Sequence, residues 1–252
     1  MAKIISFASQ KGGCGKSSVT TLVASVLAYR EHKKVAVLDF DSRQKSLANA
    51  RENELASITP KKEENGEYTC ADPRLYKSFM SQGEKPYVIE SLTMAFTDAL
   101  IDKIEKYNQE YDYVFFDLPG SIDNNDFFNL IQNCDFVFIP FIQEAYVFQS
   151  NAEFAFFLVE HILNNEECRM KNLYYFWNRY KETVRPKQFE EMETYLKANL
   201  PEMKEIAQKL GDTDAMGNTY CKSTVVSPAK EFMYNKGLNA FITEIIDIIS
   251  KD

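Results

Sequence analysis

Short apolar runs alternate with helical periodicities along this chain. Residues 3–8, 34–40, 113–118 and 135–140 form runs of strand length that are rich in Val, Ile and Phe. They show little strict alternation of polar and apolar positions, which is typical of strands buried on both faces of a parallel sheet. Residues 173–177 and 224–226 are weaker strand candidates. The pattern therefore predicts a sheet of at least four buried strands.

Apolar side chains recur at helical spacing between these strands. Val19, Leu22, Val23, Val26 and Leu27 predict a crossover helix of about four turns after the first strand. Phe96, Leu100, Ile104 and Tyr107 predict another before the third strand, and further helices are expected over 148–163, 188–198 and 238–249. Alternation of this kind predicts an α/β fold with a doubly wound, mostly parallel sheet flanked by helices.

The stretch over residues 51–86 interrupts this alternation. It is polar and contains three prolines and two glycines, namely Pro60, Gly66, Pro73, Gly83 and Pro86. We interpret it as an insertion or irregular excursion from the sheet. The whole chain, residues 1–252, is then expected to form a single domain.

Composition narrows the class of protein. With 252 residues and 45% hydrophobic content, the chain can build one sizeable core. Its five cysteines are odd in number and widely spaced, which argues against a disulfide framework and favours a reduced, cytoplasmic protein. The N-terminal segment before the first glycines is too short for a secretory signal and reads as a strand. A net charge of −8 gives no overall attraction for nucleic acid or anionic lipid, so such a surface would have to be local.

A glycine-rich segment follows the first predicted strand directly. Lys11 to Ser18 read K-G-G-C-G-K-S-S, with Gly12, Gly13, Cys14 and Gly15 between the two lysines. Glycines allow a tight turn whose backbone N–H groups face phosphate oxygens at the positive end of the following helix. Lys16 is expected to contact the β- and γ-phosphates, and the Ser17 hydroxyl to ligate Mg²⁺. The segment, through Ser18, therefore predicts a site for ATP and Mg²⁺.

This segment resembles the deviant Walker A motif of the ParA/MinD superfamily, also called the SIMIBI class of P-loop ATPases. The resemblance covers mainly residues 3–45 and 111–142 and is only topological elsewhere. It implies that Lys11 is the signature lysine, which reaches across a homodimer interface to the nucleotide of the partner. ATP binding is then expected to cause dimerisation.

Two aspartates end the second predicted strand in the sequence Val37-Leu38-Asp39-Phe40-Asp41. Carboxyl ends of parallel strands carry the ligand sites of open α/β sheets. The pair resembles the family motif in which the second aspartate acts on the attacking water. The resemblance implies that Asp41 is catalytic and that Asp39 supports the Mg²⁺ site. Ser42-Arg43 stand where the family usually continues with Pro-Gln.

The third predicted strand ends in Asp117-Leu118-Pro119-Gly120 and resembles a Walker B strand with its following switch. Asp117 is expected to hold Mg²⁺ through a water molecule, because Mg²⁺ keeps several waters and takes one or two carboxylates. Gly120 could bring its backbone N–H close to the γ-phosphate. By weaker resemblance, Asn178 would read the adenine edge and Pro228 would lie over the base. For both residues a plain loop role is nearly as good an interpretation.

The sequence leaves the biological role open between three classes. A basic segment at residues 168–188 favours a ParA-type ATPase. Such a protein is expected to bind DNA nonspecifically, to work with a stimulating adaptor protein and to associate with the nucleoid. This segment contains six cations, Arg169, Lys171, Arg179, Lys181, Arg185 and Lys187, against a single acid, Glu182. A solvated charged face is the simpler interpretation of such a run, and a pI of about 5.0 is low for a DNA-binding protein.

The alternatives are a MinD-like positioning ATPase and a metabolic or metal-cluster carrier. A membrane-binding helix at the C-terminus is not favoured, since the polar positions of residues 241–252 are mostly acidic and would be repelled by anionic lipid. Its apolar stripe is expected to pack into the core instead. The absence of closely spaced cysteines argues against a cluster carrier.

Overall fold

A seven-stranded parallel sheet forms the centre of the protein. The computed structural model describes residues 1–41, 46–83, 85–120, 125–183, 185–211, 222–228 and 237–251. The strands are β1 (Lys3–Phe7), β2 (Val35–Asp39), β5 (Val88–Ser91), β6 (Tyr113–Asp117), β7 (Phe136–Phe141), β8 (Asn172–Trp177) and β9 (Lys204–Glu205). They lie in the order β5-β2-β6-β1-β7-β8-β9. Strand β1 thus lies between β6 and β7, in parallel register with both.

Helices cover both faces of this sheet. They are α1 (Lys16–Tyr29), α2 (Ser46–Ile58), α3 (Pro73–Gln82), α4 (Asp98–Glu110), α5 (Asn125–Ile131), α6 (Ala145–Leu158), α7 (Pro186–Asn199) and α8 (Leu238–Lys251). Helix α6 continues into a π-helical turn, Val159–Leu163. A short antiparallel hairpin, β3 (Lys61–Lys62) with β4 (Tyr68–Thr69), separates α2 from α3. Within the described ranges, no helix combines the length and apolarity needed to cross a membrane.

Two hydrophobic clusters, one on each side of the sheet, hold the layers together. Alternate residues of the central strands contribute to each, so that Ile4 and Val114 belong to one cluster and Ile5 and Phe115 to the other. Every residue of β2, β6 and β7 is buried. This explains why these strands appear in the sequence as continuous apolar runs.

The predicted α/β fold is confirmed, as are the four main strands and the strand at 173–177. Residues 224–226 are not a strand: the described residues 222–228 form bends, and the strand prediction was wrong there. Val225 and Val226 are apolar because they pack against Ile58 and Leu75 in a small separate cluster. The backbone of this segment is bonded to side chains instead of a neighbouring strand. The Thr224 carbonyl oxygen accepts from Tyr29 and Arg51, and the Thr224 N–H donates to Glu54.

The polar stretch 51–86 contains regular structure. It includes most of α2, the β3–β4 hairpin and all of α3, which is capped by Asp72 and has Pro73 in its first turn. Its helices carry few apolar side chains, so their periodicity is weak in the sequence. Strand β5 follows this stretch at the sheet edge and was not predicted, because its four residues are only partly buried.

The apolar stripe of α8 packs into the core as expected. Phe241, Ile242, Ile245 and Ile249 are buried in the cluster that also contains α1. A helix whose apolar face is already covered in this way has no free stripe with which to enter a lipid surface.

Candidate functional site

A polar pocket of about 280 Å³ lies at the carboxyl edge of the sheet. Strands β1, β2 and β6 are neighbours there, so the loops that follow them meet at one place. Its lining consists of Gly12, Gly13, Gly15, Lys16, Ser17, Ser18, Asp41, Leu118, Gly120 and Arg179. The structure therefore brings together the glycine-rich segment, the catalytic candidate Asp41 and the loop after β6.

The glycine-rich segment forms a tight turn into α1. Gly15 precedes the helix with φ +88°, a left-handed conformation that disfavours side chains. A Cβ atom on Gly15 would lie 2.4 Å from Nδ2 of Asn178, so a side chain is also excluded by contact. The backbone at the start of α1 is left open toward the pocket, as an anion-binding turn requires.

Lys16 is buried at the floor of this turn. Its Nζ donates to the carbonyl oxygen of Lys11 at 3.1 Å, and the residue is 7% exposed. Burial lowers the pKa of its ammonium group, while Cys14, Asp117 and Asp41 act in the opposite direction. A desolvated ammonium group inside a polar pocket is suited to bind an anion.

The half-buried Ser17 hydroxyl and the buried Asp117 carboxylate form a pair where α1 begins and β6 ends. Ser17 Oγ donates to Asp117, with distances of 3.0 Å to Oδ1 and 2.8 Å to Oδ2. Asp117 is 1% exposed, and desolvation, with further contributions from Asp39 and Asp41, raises its pKa to about 7. A hard divalent cation prefers oxygen ligands, and its charge would offset the electrostatic cost of the buried Asp117 carboxylate. Ser17 and Asp117 therefore fit a Mg²⁺ site.

Asp39 caps the N-terminus of α2. Its Oδ2 accepts the backbone N–H groups of Leu47 and Ala48 at 3.2 and 3.3 Å, and its Oδ1 accepts that of Asp41 at 3.1 Å. The carboxylate thus holds α2 and the start of the Asp41 loop, and it does not line the pocket. Its proposed support of Mg²⁺ stays a prediction. Ser42 and Arg43 lie outside the described residues.

Gly120 packs directly against the phosphate-binding turn. A Cβ atom there would approach the backbone nitrogen of Gly12 to 2.8 Å and the carbonyl oxygen of Lys11 to 3.1 Å. The glycine is therefore needed to let the two loops touch. Its predicted contact with a γ-phosphate remains open, and the close approach of backbones is an additional reason for glycine at this position.

Helix α6 braces the beginning of the turn through residues that the sequence did not reveal. Ser9 Oγ donates to Oδ1 of Asn151 at 2.9 Å, and Nδ2 of Asn151 donates to the carbonyl oxygen of Pro140 at 2.8 Å. Ser9 and Asn151 are both fully buried. Their separation of 142 positions in the sequence carries no motif that could have indicated the pair.

Lys11 extends along the protein surface and rests on Tyr146 of α6. Its Nζ lies 3.1 Å from the Tyr146 hydroxyl and 4.5 Å from the ring centroid. Tyr146 is 67% exposed, so the contact is at the surface beside the pocket mouth. In this position the lysine does not reach into its own pocket.

The two base-contact candidates lie in different places. Asn178 is buried beneath the turn, where Nδ2 donates to the carbonyl oxygen of Cys14 at 2.7 Å and Oδ1 accepts the Arg179 N–H at 2.9 Å. Its amide thus supports the turn, and its contact with adenine stays a prediction. Pro228 accepts from Arg30, which follows the last turn of α1. It therefore lies about 20 Å along that helix from the pocket, and the structure does not bring it to the site.

The basic segment divides between different parts of the molecule. Arg169 forms a two-pronged ion pair with Asp135 at 2.7 and 2.8 Å and also donates to the carbonyl oxygen of Ala2. Arg179 lines the pocket. The six cations thus do not form one continuous surface.

Comparison with protein families and solved structures agrees with this geometry. Residues 2–170 match the AAA_31 family model, described as an AAA domain. The chain belongs to this family. A comparison with curated proteins gave no match. Among solved structures, MinD cell division protein from Aquifex aeolicus is 18% identical with a TM-score of 0.62, covering 100% of this chain and 98% of that one.

Two further structures extend the comparison. A variant of McdA from Cyanothece, solved in complex with ATP, is 14% identical with a TM-score of 0.64, covering 100% of this chain and 97% of that one. The pNOB8 ParA bound to nonspecific DNA is 15% identical with a TM-score of 0.56 and full coverage of both chains. The family match and these structures agree with the predicted resemblance to the ParA/MinD superfamily, since the chain shares the fold of MinD, McdA and ParA.

Proposed function

We propose that this member of the AAA_31 family is a ParA-type ATPase that dimerises on binding ATP and binds DNA nonspecifically. It would hydrolyse ATP slowly until an adaptor protein stimulates it, and so segregate a plasmid, mobile element or chromosome on the nucleoid. The observation that carries the proposal is the meeting of Lys16, Ser17, Asp41 and Gly120 in one pocket at the carboxyl edge of the sheet.

Each of these groups has a chemical task in phosphoryl transfer. The backbone N–H groups of the glycine-rich turn and the Lys16 ammonium group bind the phosphate oxygens. Ser17 and, through water, Asp117 hold Mg²⁺, which supplies charge neutralisation for the phosphates when it is bound. The Asp41 carboxylate faces the same pocket, where it can accept a hydrogen bond from the attacking water and orient it.

Lys11 completes the site of a second protomer in this proposal. Its ammonium group lies at the surface beside the pocket mouth and can leave Tyr146 to approach the phosphates bound by a partner. A second cation there would stabilise charge on the transferred phosphoryl group, as an arginine finger does in other ATPases. Dimerisation would then depend on nucleotide, since each lysine has an anion to bind only when ATP is present.

Two features support DNA over a membrane as the surface on which the dimer works. The apolar stripe of α8 is buried, which removes the C-terminal helix as a lipid anchor. A ParA that shares the fold has been solved on nonspecific DNA. Lys171, Lys181, Arg185 and Lys187 remain on exposed positions as candidates for phosphate contacts.

The enzymatic part is tested with Asp41→Ala and Lys16→Ala. Because binding depends mainly on the turn, Lys16 and Mg²⁺, Asp41→Ala should retain ATP affinity within a few-fold and lose about 100-fold or more in turnover. Lys16→Ala should lose nucleotide affinity and the dimer together. Steady-state phosphate release and equilibrium ATP binding are measured side by side. Wild-type turnover in Asp41→Ala would exclude Asp41 as the catalytic carboxylate.

The DNA-binding part is tested with the same Asp41→Ala protein, which should accumulate as an ATP-bound dimer. Retention on DNA of unrelated sequences should require ATP and fall steeply with salt, because cations displace counterions from the phosphates. Retention on anionic vesicles in place of DNA would favour the MinD-like alternative.

A further inference from the structure

Arg179 lines the same pocket as the phosphate-binding turn. We propose that Arg179 is a nucleotide-binding residue that contacts the β- or γ-phosphate of the bound nucleotide. This inference rests on the proposed function, since it names a further ligand of the same site. With this assignment, Arg179 is no longer counted among the basic residues that the sequence predicts to bind DNA.

The position within the pocket identifies the part of the nucleotide concerned. Nine of the ten lining residues belong to the glycine-rich turn, to α1's first residues, to Asp41 or to the loop after β6. These are the groups to which the phosphates are assigned above, and Arg179 is the tenth. A cation that shares a wall with them lies within reach of phosphate oxygens.

The backbone of Arg179 is held in place on both sides. Before it, Asn178 donates its N–H to the Phe141 carbonyl at 2.7 Å and its side-chain amide to Cys14 at 2.7 Å. After it, Tyr180 donates its N–H to the Leu210 carbonyl at 2.8 Å and packs its ring on Phe189. The residue is therefore attached to the end of β8 and to the phosphate-binding turn at the same time.

This attachment places Arg179 in a left-handed backbone conformation, with φ at 53°. Such a conformation is unfavourable for a residue with a Cβ atom and is commonly found at functional sites. Glycine or asparagine would fit this backbone with less strain. An arginine at this position is consistent with a binding role of its side chain that offsets the unfavourable backbone conformation.

The side chain itself is available for a ligand. Within the described part of the chain, the guanidinium group of Arg179 forms no hydrogen bond or ion pair, and the residue is exposed. The contrast is Arg169, whose guanidinium group is fully engaged with Asp135 and Ala2. Of these two arginines in the basic segment, one therefore stabilises the fold and the other faces the pocket.

A guanidinium group adds a type of contact that the pocket otherwise lacks. Lys16 supplies a point charge, whereas the planar fork of arginine can donate two parallel hydrogen bonds to phosphate oxygens. The pocket also contains the carboxylate of Asp41, with Asp117 beneath it, so an additional cation offsets repulsion of the polyphosphate.

The test compares ATP, ADP and AMP binding to wild type, Arg179→Ala and Arg179→Lys by calorimetry. A charge-assisted phosphate contact predicts that Arg179→Ala binds ATP about 10- to 100-fold more weakly and AMP within about threefold of wild type. Arg179→Lys should recover part of the loss, since it keeps the charge and loses the fork. Arg74→Ala, at an exposed arginine of α3 outside the pocket, is the matched control and should bind all three like wild type.

Other outcomes overturn the inference in distinguishable ways. Equal weakening of ATP and AMP would mean that Arg179 contacts a part that both nucleotides share, namely the base, the ribose or the α-phosphate, and would exclude the β- and γ-phosphates. Unchanged ATP affinity with weaker DNA retention at saturating ATP would return Arg179 to the basic segment. If wild type itself binds no ATP, the proposed function is wrong, and the inference about Arg179 is wrong with it. Melting of the nucleotide-free variants, expected within a few degrees of wild type, checks that each is folded.

Discussion

The two sides of the nucleotide pocket are built on different physical principles. The turn side, residues 9–18 with Asn178 and Gly120, is fixed by close backbone packing and by buried, neutral hydrogen bonds such as Ser9–Asn151 and Asn178–Cys14. The carboxylate side, at the ends of β2 and β6, places the buried carboxylates of Asp39 and Asp117 near each other and near Asp41, which lines the pocket. The first side is complete in the protein alone, whereas the second is not.

The difference indicates that the turn side mainly binds the nucleotide, whereas the carboxylate side mainly serves hydrolysis. A preformed turn loses little entropy when phosphate arrives, which favours binding. The carboxylate side holds an electrostatic cost until a cation and the nucleotide enter, and it becomes stable only in the loaded state. Nucleotide-free and loaded protein should therefore differ mainly on the carboxylate side. Four variants test this contrast.

The largest effect is expected from filling the turn at Gly15. In Gly15→Ala the new Cβ meets Asn178 Nδ2 at 2.4 Å in a left-handed backbone, so the turn must move. We expect ATP affinity to fall by roughly 100-fold or more, measured by calorimetry. Gly66→Ala in the β3–β4 hairpin shares the positive φ but meets nothing within 4 Å, and should cost only about 1 kcal/mol of stability. Tight ATP binding by Gly15→Ala would show that the turn is not rigid.

The carboxylate side is tested by Asp117→Asn, which keeps the shape and removes the charge. The folded pKa of about 7 lies above the ordinary value of 3.8, so the folded protein binds an extra proton between these values. Stability of the nucleotide-free protein should thus fall as pH rises from about 4 to 7, by at most about 4 kcal/mol. Asp117→Asn should remove the contribution of Asp117 to that slope, leaving that of Asp39, and raise the melting temperature at pH 8 by several degrees.

Two controls accompany this measurement. Asp102→Asn, on an exposed position of α4, should leave the melting curve unchanged at every pH. Addition of Mg²⁺ with ATP should stabilise wild type much more than Asp117→Asn, because the variant lacks the carboxylate for the cation. A melting temperature for Asp117→Asn below that of wild type at pH 8 would contradict a strained carboxylate.

The sequence predicted the residues that belong to local motifs better than those that distant elements bring to the pocket. The turn could be read directly, because its glycines, Lys16 and Ser17 are contiguous and follow an apolar strand, and Asp117 was visible as a charge that ends such a strand. The capping of α2 by Asp39 could not be read, since it depends on where that helix begins. Asn151, Tyr146 and Arg179 come from distant elements, and only the fold brings them to the turn.

The basic segment shows the same limit from the opposite direction. Its six cations are neighbours in the sequence, but Asp135, directly before β7, pairs with Arg169, and the turn after β8 places Arg179 in the pocket lining. Charge runs predict a surface only when the residues share a face, and a strand followed by a loop separates them.

A smaller effect is expected when the brace of the turn is removed. Asn151→Ala deletes a buried amide that bonds both Ser9 and Pro140, and leaves the Ser9 hydroxyl with only its contacts to the Lys11 backbone. We expect a loss of about 1–3 kcal/mol in the free energy of unfolding, measured with denaturant, and several-fold weaker ATP binding. Gln149→Ala, on an exposed position of the same helix, should change neither quantity. If Asn151→Ala is destabilised but binds ATP normally, the Ser9–Asn151 contact stabilises the fold without positioning the phosphate-binding turn.

The smallest effect concerns the surface contact between Lys11 and Tyr146. If Lys11 must leave Tyr146 to reach a partner's phosphates, the contact stabilises the monomer, by about 0.5–1 kcal/mol for an exposed cation–π pair. Tyr146→Ala should therefore lower the protein concentration needed for half-maximal dimer about 5- to 30-fold, since two lysines are released in each dimer. Tyr146→Phe keeps the ring and loses the hydroxyl, so its dimerisation should lie between that of Tyr146→Ala and that of wild type.

Analytical ultracentrifugation with ATP in the Asp41→Ala background measures dimerisation without turnover. Tyr68→Ala, at a tyrosine that is 69% exposed on the β3–β4 hairpin, is the matched control. A weaker dimer in Tyr146→Ala would mean that the ring contacts the second protomer itself, and Lys11 would then need no release.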